Sequence, residues 1–243
     1  MPRHLFISDL HLAPERPDII QLFVDFLNNQ AVHVESLYIL GDLVEYWLGD
    51  DDEAEGLNSV FDCMKQLADN GLKIYLMHGN RDFLMGEQLA QRAGCILIND
   101  PHIAHFNNIP VLLMHGDILC TDDTRYQELR LMLRNPAWQQ DFLSKPLAER
   151  EAMALALRQQ SKEETQSKAA DIMDVNADAV TQAFVDHRVK LMIHGHTHRP
   201  SIHQLEVNGK PVKRVVLGDW YSQGSVLEFD DAEHFKLTSF NEA

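Results

Sequence analysis

Five short polar segments, each placed close behind a run of apolar residues, constrain this chain more than any other feature. In order they are Asp9-Leu-His11, Gly41-Asp42, Gly79-Asn80-Arg81-Asp82, His115-Gly116-Asp117 and Gly195-His196-Thr197-His198. The runs before them are His4–Ser8, Ser36–Leu40, Lys73–Met77, Pro110–Met114 and Lys190–Ile193, each with the length of a buried strand. Ligating residues at strand ends converge on one edge of a sheet, which is where open α/β folds build their sites.

The remainder of the chain supports that architecture. Further strands are expected at Ile96–Ile98, Val212–Leu217, Ser225–Phe229 and Phe235–Phe240. Asp18–Asn29 spaces Ile19, Ile20, Phe23, Phe26 and Leu27 on one helix face. Asn58–Asn70 does the same with Val60, Phe61, Met64, Leu67 and Ala68, and Gly71 follows as a C-terminal stop. Alternation of strand and helix indicates an α/β core. The later strands come closer together, so the expected fold is two sheets packed face to face with helices outside. From Thr121 to Asp186 the strand signal disappears, and Pro136 and Pro146 divide a stretch rich in Ala, Gln, Glu and Leu into helices. This predicts a helical cap at 121–186 inserted into a core made of 1–120 and 187–243.

The chemistry follows from the donor types. Two divalent ions need about seven protein ligands, and the five segments offer Asp9, His11, Asp42, Asn80, His115, His196 and His198. Mixed carboxylate, imidazole and amide donors suit Mn, Fe or Zn better than Ca or Mg. A carboxylate between two cations can bridge them, and Asp42 is the natural candidate. Water held between such ions loses a proton near neutral pH and becomes a nucleophile for in-line attack on phosphorus. Any one fragment is weak evidence, because a lone histidine is usually structural. Five in order, each behind a strand, are not. His78 and His194 are read as packing beside the ligands, the Asp50-Asp51-Asp52 run as a solvated loop, Trp47 as packing, and Gly218-Asp219-Trp220 as a loop bordering the site without assigned chemistry.

Charge and cysteine usage exclude some classes. The net charge of −16 works against a nucleic-acid partner, which needs a basic face. Three cysteines, Cys63, Cys95 and Cys120, without paired spacing argue against a disulfide framework. No stretch approaches the roughly 20 apolar residues of a membrane span, so the chain is expected in the cytosol or on a membrane from that side.

The order DLH, GD, GNRD, HGD, GHTH resembles the calcineurin-like metallophosphoesterases. The fuller forms DLHL, ILGDLVEYW, HGNRDF, MHGD and IHGHTHRP resemble the branch of that family that hydrolyses UDP-2,3-diacylglucosamine in lipid A synthesis. The resemblance implies a four-layer αββα core and two Mn²⁺ ions per subunit. It also implies attack on the α-phosphorus by a hydroxide bridging the two metals, giving UMP and 2,3-diacylglucosamine 1-phosphate. Asn80, Arg81 and His196 are then the expected catalytic residues. With Asp123, Ser161, Thr165 and Lys168 they are also the expected substrate contacts, and Tyr126 and Arg158 are further cap candidates.

A diacyl substrate further implies peripheral attachment at the cytoplasmic face of the inner membrane. Arg125, Arg130, Arg134, Lys145 and Arg150 are the basic residues weighed for that contact. The apolar cap residues Leu129, Met132, Leu133, Trp138, Phe142, Leu143, Leu147, Met153, Leu155 and Leu157 are weighed both as packing and as a lining for acyl chains. Many phosphomonoesterases of the family carry histidine where this chain has Arg81, and that histidine is thought to protonate an alkoxide leaving group. Arginine is a poor proton donor at neutral pH but clamps phosphate oxygens. A phosphate leaving group needs no proton, so Arg81 favours pyrophosphate cleavage. The alternatives are another metallophosphodiesterase or nuclease of the same fold, or a scaffold that has lost catalysis. The presence of every expected ligand type argues against the last.

Overall fold

The computed structural model describes residues 3–167, 174–230 and 234–241, with the side chains of 160–167 also outside the description. Strands β1 (Arg3–Ile7), β2 (Ser36–Leu40), β3 (Lys73–Met77), β4 (Cys95–Ile98), β10 (Gly224–Asp230) and β11 (Phe235–Phe240) form a six-stranded sheet in the order β11-β10-β1-β2-β3-β4. Strands β5 (His102–Phe106), β6 (Ile109–Met114), β7 (Leu191–His194), β8 (Ser201–Val207) and β9 (Lys210–Val216) form a second, ordered β5-β6-β7-β9-β8. Within the first sheet β1, β2 and β3 run parallel, and within the second β6, β7 and β9 do.

Side chains alternate across each strand, and the two faces of β1 show the consequence. Phe6 points between the sheets, where it meets Tyr38, Phe106 and Phe229, whereas Leu5 and Ile7 point outward to the helices. That outer layer consists of α1 (Pro17–Asn29), α2 (Asn58–Asp69) and α3 (Glu87–Ala93). Pro17 starts α1 in a position where its missing N–H costs nothing, and α1 buries Ile19, Leu22, Phe23, Phe26 and Leu27. Leu22 takes the place expected of Ile20, which is only partly covered. Helix α2 buries Val60, Phe61, Met64 and Leu67 as the spacing predicts, and Gly71 follows it with φ of 105°.

Helices α4 (Thr124–Leu133), α5 (Pro136–Leu143) and α6 (Leu147–Ser167) come from the predicted cap segment. Helix α7 (Ala177–His187) comes from the same segment but has a different partner. Its Val180 and Phe184 are buried against Leu112, Met114, Met192 and Val212 on the outer face of the second sheet. The expected boundary at 186 therefore runs too far. Helix α7 supplies the fourth layer of the αββα stack, and its amphipathic face belongs to the core.

Two strands were not foreseen, β5 and β8. Both lie at edges of the second sheet and are half-exposed, so neither carries a continuous apolar run. Placing α7 in the core has a measurable consequence. Phe184→Ala should lower unfolding free energy by about 3–5 kcal/mol in urea denaturation, while Leu131→Ala on the exposed cap surface should change it by less than about 0.5 kcal/mol.

Candidate metal centre

The C-terminal ends of β1, β2 and β3 in one sheet face those of β6 and β7 in the other, and all seven expected ligands gather between them. The turns that carry them are stitched together by backbone hydrogen bonds. Asp9 N donates to Gly41 O at 3.1 Å, His11 N to Asp42 O at 3.0 Å, and Leu12 N to Leu43 O at 3.0 Å. Asp9, His11, Asp42, His196 and His198 all adopt positive φ, between 49° and 68°. For residues with a Cβ this left-handed region is uncommon, and it persists only where surrounding structure holds it. It turns successive side chains into one small volume.

Two groups of donor atoms close enough for an ion share Asp9: Asp9 with His11 and His198, and Asp9 with Asp42 and His115. Asp42 Oδ2, a member of the second group, lies 3.8 Å from His115 Nε2 and equally 3.8 Å from His11 Nε2 of the first. His115 Nδ1 lies 2.9 Å from Leu40 O, leaving Nε2 to face the cluster 2.9 Å from Asn80 Oδ1. His198 Nε2 lies 3.4 Å from Asp9 Oδ1. His196 packs its ring 5.0 Å from that of His115, and its backbone N–H donates to Asp9 Oδ2 at 2.8 Å. Ser8 Oγ donates to the same oxygen at 2.6 Å.

These residues fit divalent cations. Asp9 Oδ1 and both ring nitrogens of His11 are buried without a hydrogen-bond partner, an arrangement that costs free energy unless something positive lies among them. The field has the same sign. Burial alone would lower the His115 imidazole, yet the carboxylates of Asp42, Asp9 and Asp117 raise it to about 9. Burial would raise the Asp9 carboxyl, and His198, His115 and His11 together hold it well below the usual range. The pocket thus favours added positive charge.

The supporting residues explain why the motifs contain more than ligands. Asp82 is fully buried, and its oxygens accept from Leu43 N at 2.7 Å and Gly79 N at 2.8 Å, pinning the two ligand turns to each other. Asp42 Oδ1 accepts from Arg81 N at 2.8 Å. Asp117 is buried beneath the cap, where it accepts from Tyr126 Oη at 2.6 Å and Arg130 Nε at 2.7 Å. Burial would raise the Asp117 carboxyl, but His115, His196, Arg130 and the Tyr126 hydroxyl keep it ionised. Burial and that same carboxylate push Tyr126 far up, so it remains a donor. His194 and His78 sit beside the ligands as read from sequence: His194 Nδ1 lies 2.9 Å from Gly195 O, and His78 Nε2 2.7 Å from Met85 O.

Two residues at the centre, Glu45 and Tyr221, were missed, and Asp219, read only as part of a loop bordering the site, reaches it. Glu45 Oε2 lies 3.0 Å from His11 Nδ1, Asp219 Oδ2 lies 3.6 Å from His198 Nδ1, and the Tyr221 ring stacks on His11 at 5.3 Å. Asp219 and Tyr221 follow β9, which runs parallel to β7. The rule that located the other segments, polar residues behind a parallel strand, also reaches this one. Glu45 had no such signal, because it lies beyond the Gly-Asp turn.

An apolar cleft opens beside the ligands. It is walled by Asn80, Arg81 and Phe83 from the core and by Tyr126, Leu129, Leu133, Trp138, Phe142 and Leu157 from the cap. Arg81 Nε is buried there without a hydrogen-bond partner. Of the apolar cap residues, Leu131, Met132, Leu143, Leu147 and Leu155 are instead exposed. Asp123 caps α4, accepting from Tyr126 N at 3.1 Å. The side chains of Ser161 and Thr165 on α6, and Lys168 entirely, lie outside the described residues.

Three of the arginines weighed for a membrane contact turn inward. Arg130 holds Asp117, Arg134 Nη2 donates to Gly79 O at 2.8 Å, and Arg150 is buried, pairing with Asp51 and donating to Leu48 O at 2.7 Å. Lys145 pairs with Asp141 on its own cap at 2.8 Å. The acidic run is likewise built into the fold: Asp50 accepts from Gly86 N, Gln88 N and Leu89 N at the start of α3.

Paired sheets whose strand ends gather Asp, His and Asn donors around a charge-hungry pocket define a metallophosphoesterase. The chain belongs to the calcineurin-like phosphoesterase family, whose sequence profile matches residues 2–200. It is 49% identical over 236 residues to a UDP-2,3-diacylglucosamine hydrolase of Ectopseudomonas mendocina, covering 97% of each chain. It is 52% identical over 216 residues to the protein of the same name from Marinobacter nauticus, covering 89% of this chain and 88% of that one. Among solved structures, an archaeal phosphodiesterase shares the fold at 14% identity with a TM-score of 0.50, over 98% of this chain and 99% of that one.

Gly41 offers a direct check on the assembly of the centre. It has φ of 91°, and a Cβ there would stand 2.5 Å from His115 Nδ1 and 2.6 Å from Gly79 Cα. Gly41→Ala should displace His115 and lower metal affinity by roughly tenfold or more, measured as metal retained per chain after dialysis.

Proposed function

We propose that the chain hydrolyses the pyrophosphate bond of UDP-2,3-diacylglucosamine, releasing UMP and 2,3-diacylglucosamine 1-phosphate in lipid A biosynthesis. The observation that carries this reading is the continuity of the centre with the cleft. Asn80 and Arg81 border both the ligand cluster and the apolar wall of the cleft. Near full-length likeness to relatives that carry the name of this activity supports the same substrate.

Each residue then has a role. Asp9, His11, Asp42 and His198 would hold one ion and Asp42, Asn80, His115 and His196 the other, with Mn²⁺ favoured by the hard oxygen and imidazole set. Two divalent ions supply Lewis acidity, which lowers the pKa of water and offsets the charge of the diphosphate. Arg81 is placed to clamp phosphate oxygens, since its Nε is buried beside the cleft and unpartnered. His196 and Asn80 orient the phosphate that takes the nucleophile. With Arg81 in that position a fixed positive charge stands where a histidine would protonate an alkoxide, and the sugar 1-phosphate would leave as an anion. Asp123, Ser161, Thr165 and Lys168 are proposed to hold the headgroup from the cap. Leu129, Leu133, Trp138, Phe142 and Leu157 would cover acyl chains, each buried CH₂ contributing about 0.8 kcal/mol.

Among the described residues no helix is long and apolar enough to cross a membrane. We infer peripheral binding at the cytoplasmic face of the inner membrane. The exposed cap residues Leu131, Met132 and Leu155 are better placed for it than the inward-turned arginines.

Protein stripped of metal should release no UMP from this substrate, and added Mn²⁺ should restore release. Asp42→Ala should lower the restored rate by more than about 100-fold, beyond the loss caused by removing outer partners of metal ligands. UMP failing to appear with two ions bound would discard the substrate and keep the metal centre. The role of Arg81 is tested separately. The chain should turn over pyrophosphate-linked substrates and leave simple alkyl phosphates intact, and the reverse preference would refute the leaving-group argument.

A further inference from the structure

The carboxylate of Glu45 faces two ways. Its Oε2 lies 3.0 Å from His11 Nδ1, and its Oε1 accepts from Arg158 Nη2 at 2.6 Å. His11 is buried and turns its other nitrogen, Nε2, toward Asp42 Oδ2 at 3.8 Å. Tyr221 covers one face of the same ring. Arg158 comes from α6 of the cap, where its guanidinium lies over the Tyr46 ring at 5.3 Å. A polar path therefore runs from the cap, through a carboxylate with little exposure, to a residue of the metal cluster.

Imidazole ligates a metal as the neutral ring, with a lone pair on one nitrogen and the proton on the other. Which nitrogen keeps the proton is set by the partner of the non-ligating one. In His11 the nitrogen facing the cluster is Nε2, so the proton must stay on Nδ1, and Glu45 is the carboxylate beside it, at ion-pair distance though outside hydrogen-bond alignment. Arg158 holds the other oxygen of that carboxylate, which keeps it in place against the pull of solvent. Neither residue lies within the five ligand segments.

We propose that Glu45 is a positioning residue for the metal centre. It keeps the His11 proton on Nδ1 so that Nε2 is free to ligate, and through Arg158 it makes the quality of that ligand depend on the seated cap. The proposal rests on reading the cluster as a metal site and is independent of the substrate.

The test is Mn²⁺ affinity of the full chain, measured by competition with a fluorescent chelator in the absence of substrate. Glu45→Ala should weaken the binding of one ion by about 10–100-fold. Glu45→Gln, which retains an acceptor oxygen, should recover most of that loss. Urea midpoints of the metal-free variants should stay with that of the unmodified chain, so a purely structural role would move the wrong readout. Arg158→Ala should weaken the same ion, and its effect should shrink when Glu45 is already alanine. Mn²⁺ affinity of Glu45→Ala within twofold of the unmodified chain overturns the proposal alone. Failure of the unmodified chain to bind Mn²⁺ overturns it together with the metal-site reading. Equal effects of Arg158→Ala in both backgrounds remove the link to the cap.

Discussion

Two carboxylates, Asp9 and Asp42, are buried side by side at the ends of adjacent parallel strands, and most of the surrounding structure answers that placement. Burying one charge without a partner is costly, and burying two of the same sign in contact is more so. The fold supplies part of the compensation from its own backbone. His196 N and Ser8 Oγ donate to Asp9, and Arg81 N donates to Asp42. The rest is left open, with Asp9 Oδ1 unpartnered and four imidazoles ringed about the pair. Such a centre is incomplete without cations, and the positive φ angles of its residues show how much backbone strain is spent in assembling it.

Arginines fasten the cap to the core. Arg130 reaches Asp117, Arg134 reaches Gly79 O, Arg150 reaches Asp51 and Leu48 O, and Arg158 reaches Glu45. Each anchor on the core lies close in sequence to a ligand motif. The apolar side chains of the cap are thereby released from packing and can line the cleft or face outward. That division explains why helices α4 and α5 hold many large apolar residues yet bury almost none of them, with Phe142 the exception. A cap held by apolar contacts would have to close its own cleft to be stable.

Much of this was legible in the sequence, for identifiable reasons. Strands buried on both faces read as continuous apolar runs, so β1, β2, β3, β6 and β7 and the ligands behind them could be placed by pattern alone. The edge strands β5 and β8 lack that signal, because one side of each meets solvent. Helix α7 has a narrower apolar face than α1, carried by Val180 and Phe184, and it follows directly on the cap and was counted with it. The roles of Arg130, Arg134 and Arg150 were invisible for a different reason. A basic residue on a helix pattern looks the same whether it faces water or a carboxylate from another part of the chain. Asp50 was hidden likewise, since its partners at the start of α3 lie 36 to 39 residues away.

Arg81 shows how one residue joins both halves of the structure. Its backbone N–H holds Asp42, and its side chain enters the cleft beneath the cap. A histidine in the same place could keep the first role and would change the second, offering a proton in place of a permanent positive charge. A proton helps an alkoxide leave, whereas fixed charge and a forked donor help a phosphate leave. The fold and its ligands are those of a general phosphoesterase, so selectivity between leaving groups must come from residues that ligate nothing. On the proposed function Arg81 is such a residue, and the apolar wall of the cleft that begins beside it would take the lipid. The bond cleaved and the molecule that carries it would then be selected on adjoining surfaces, by charge at one end of the cleft and by apolar contact along the rest.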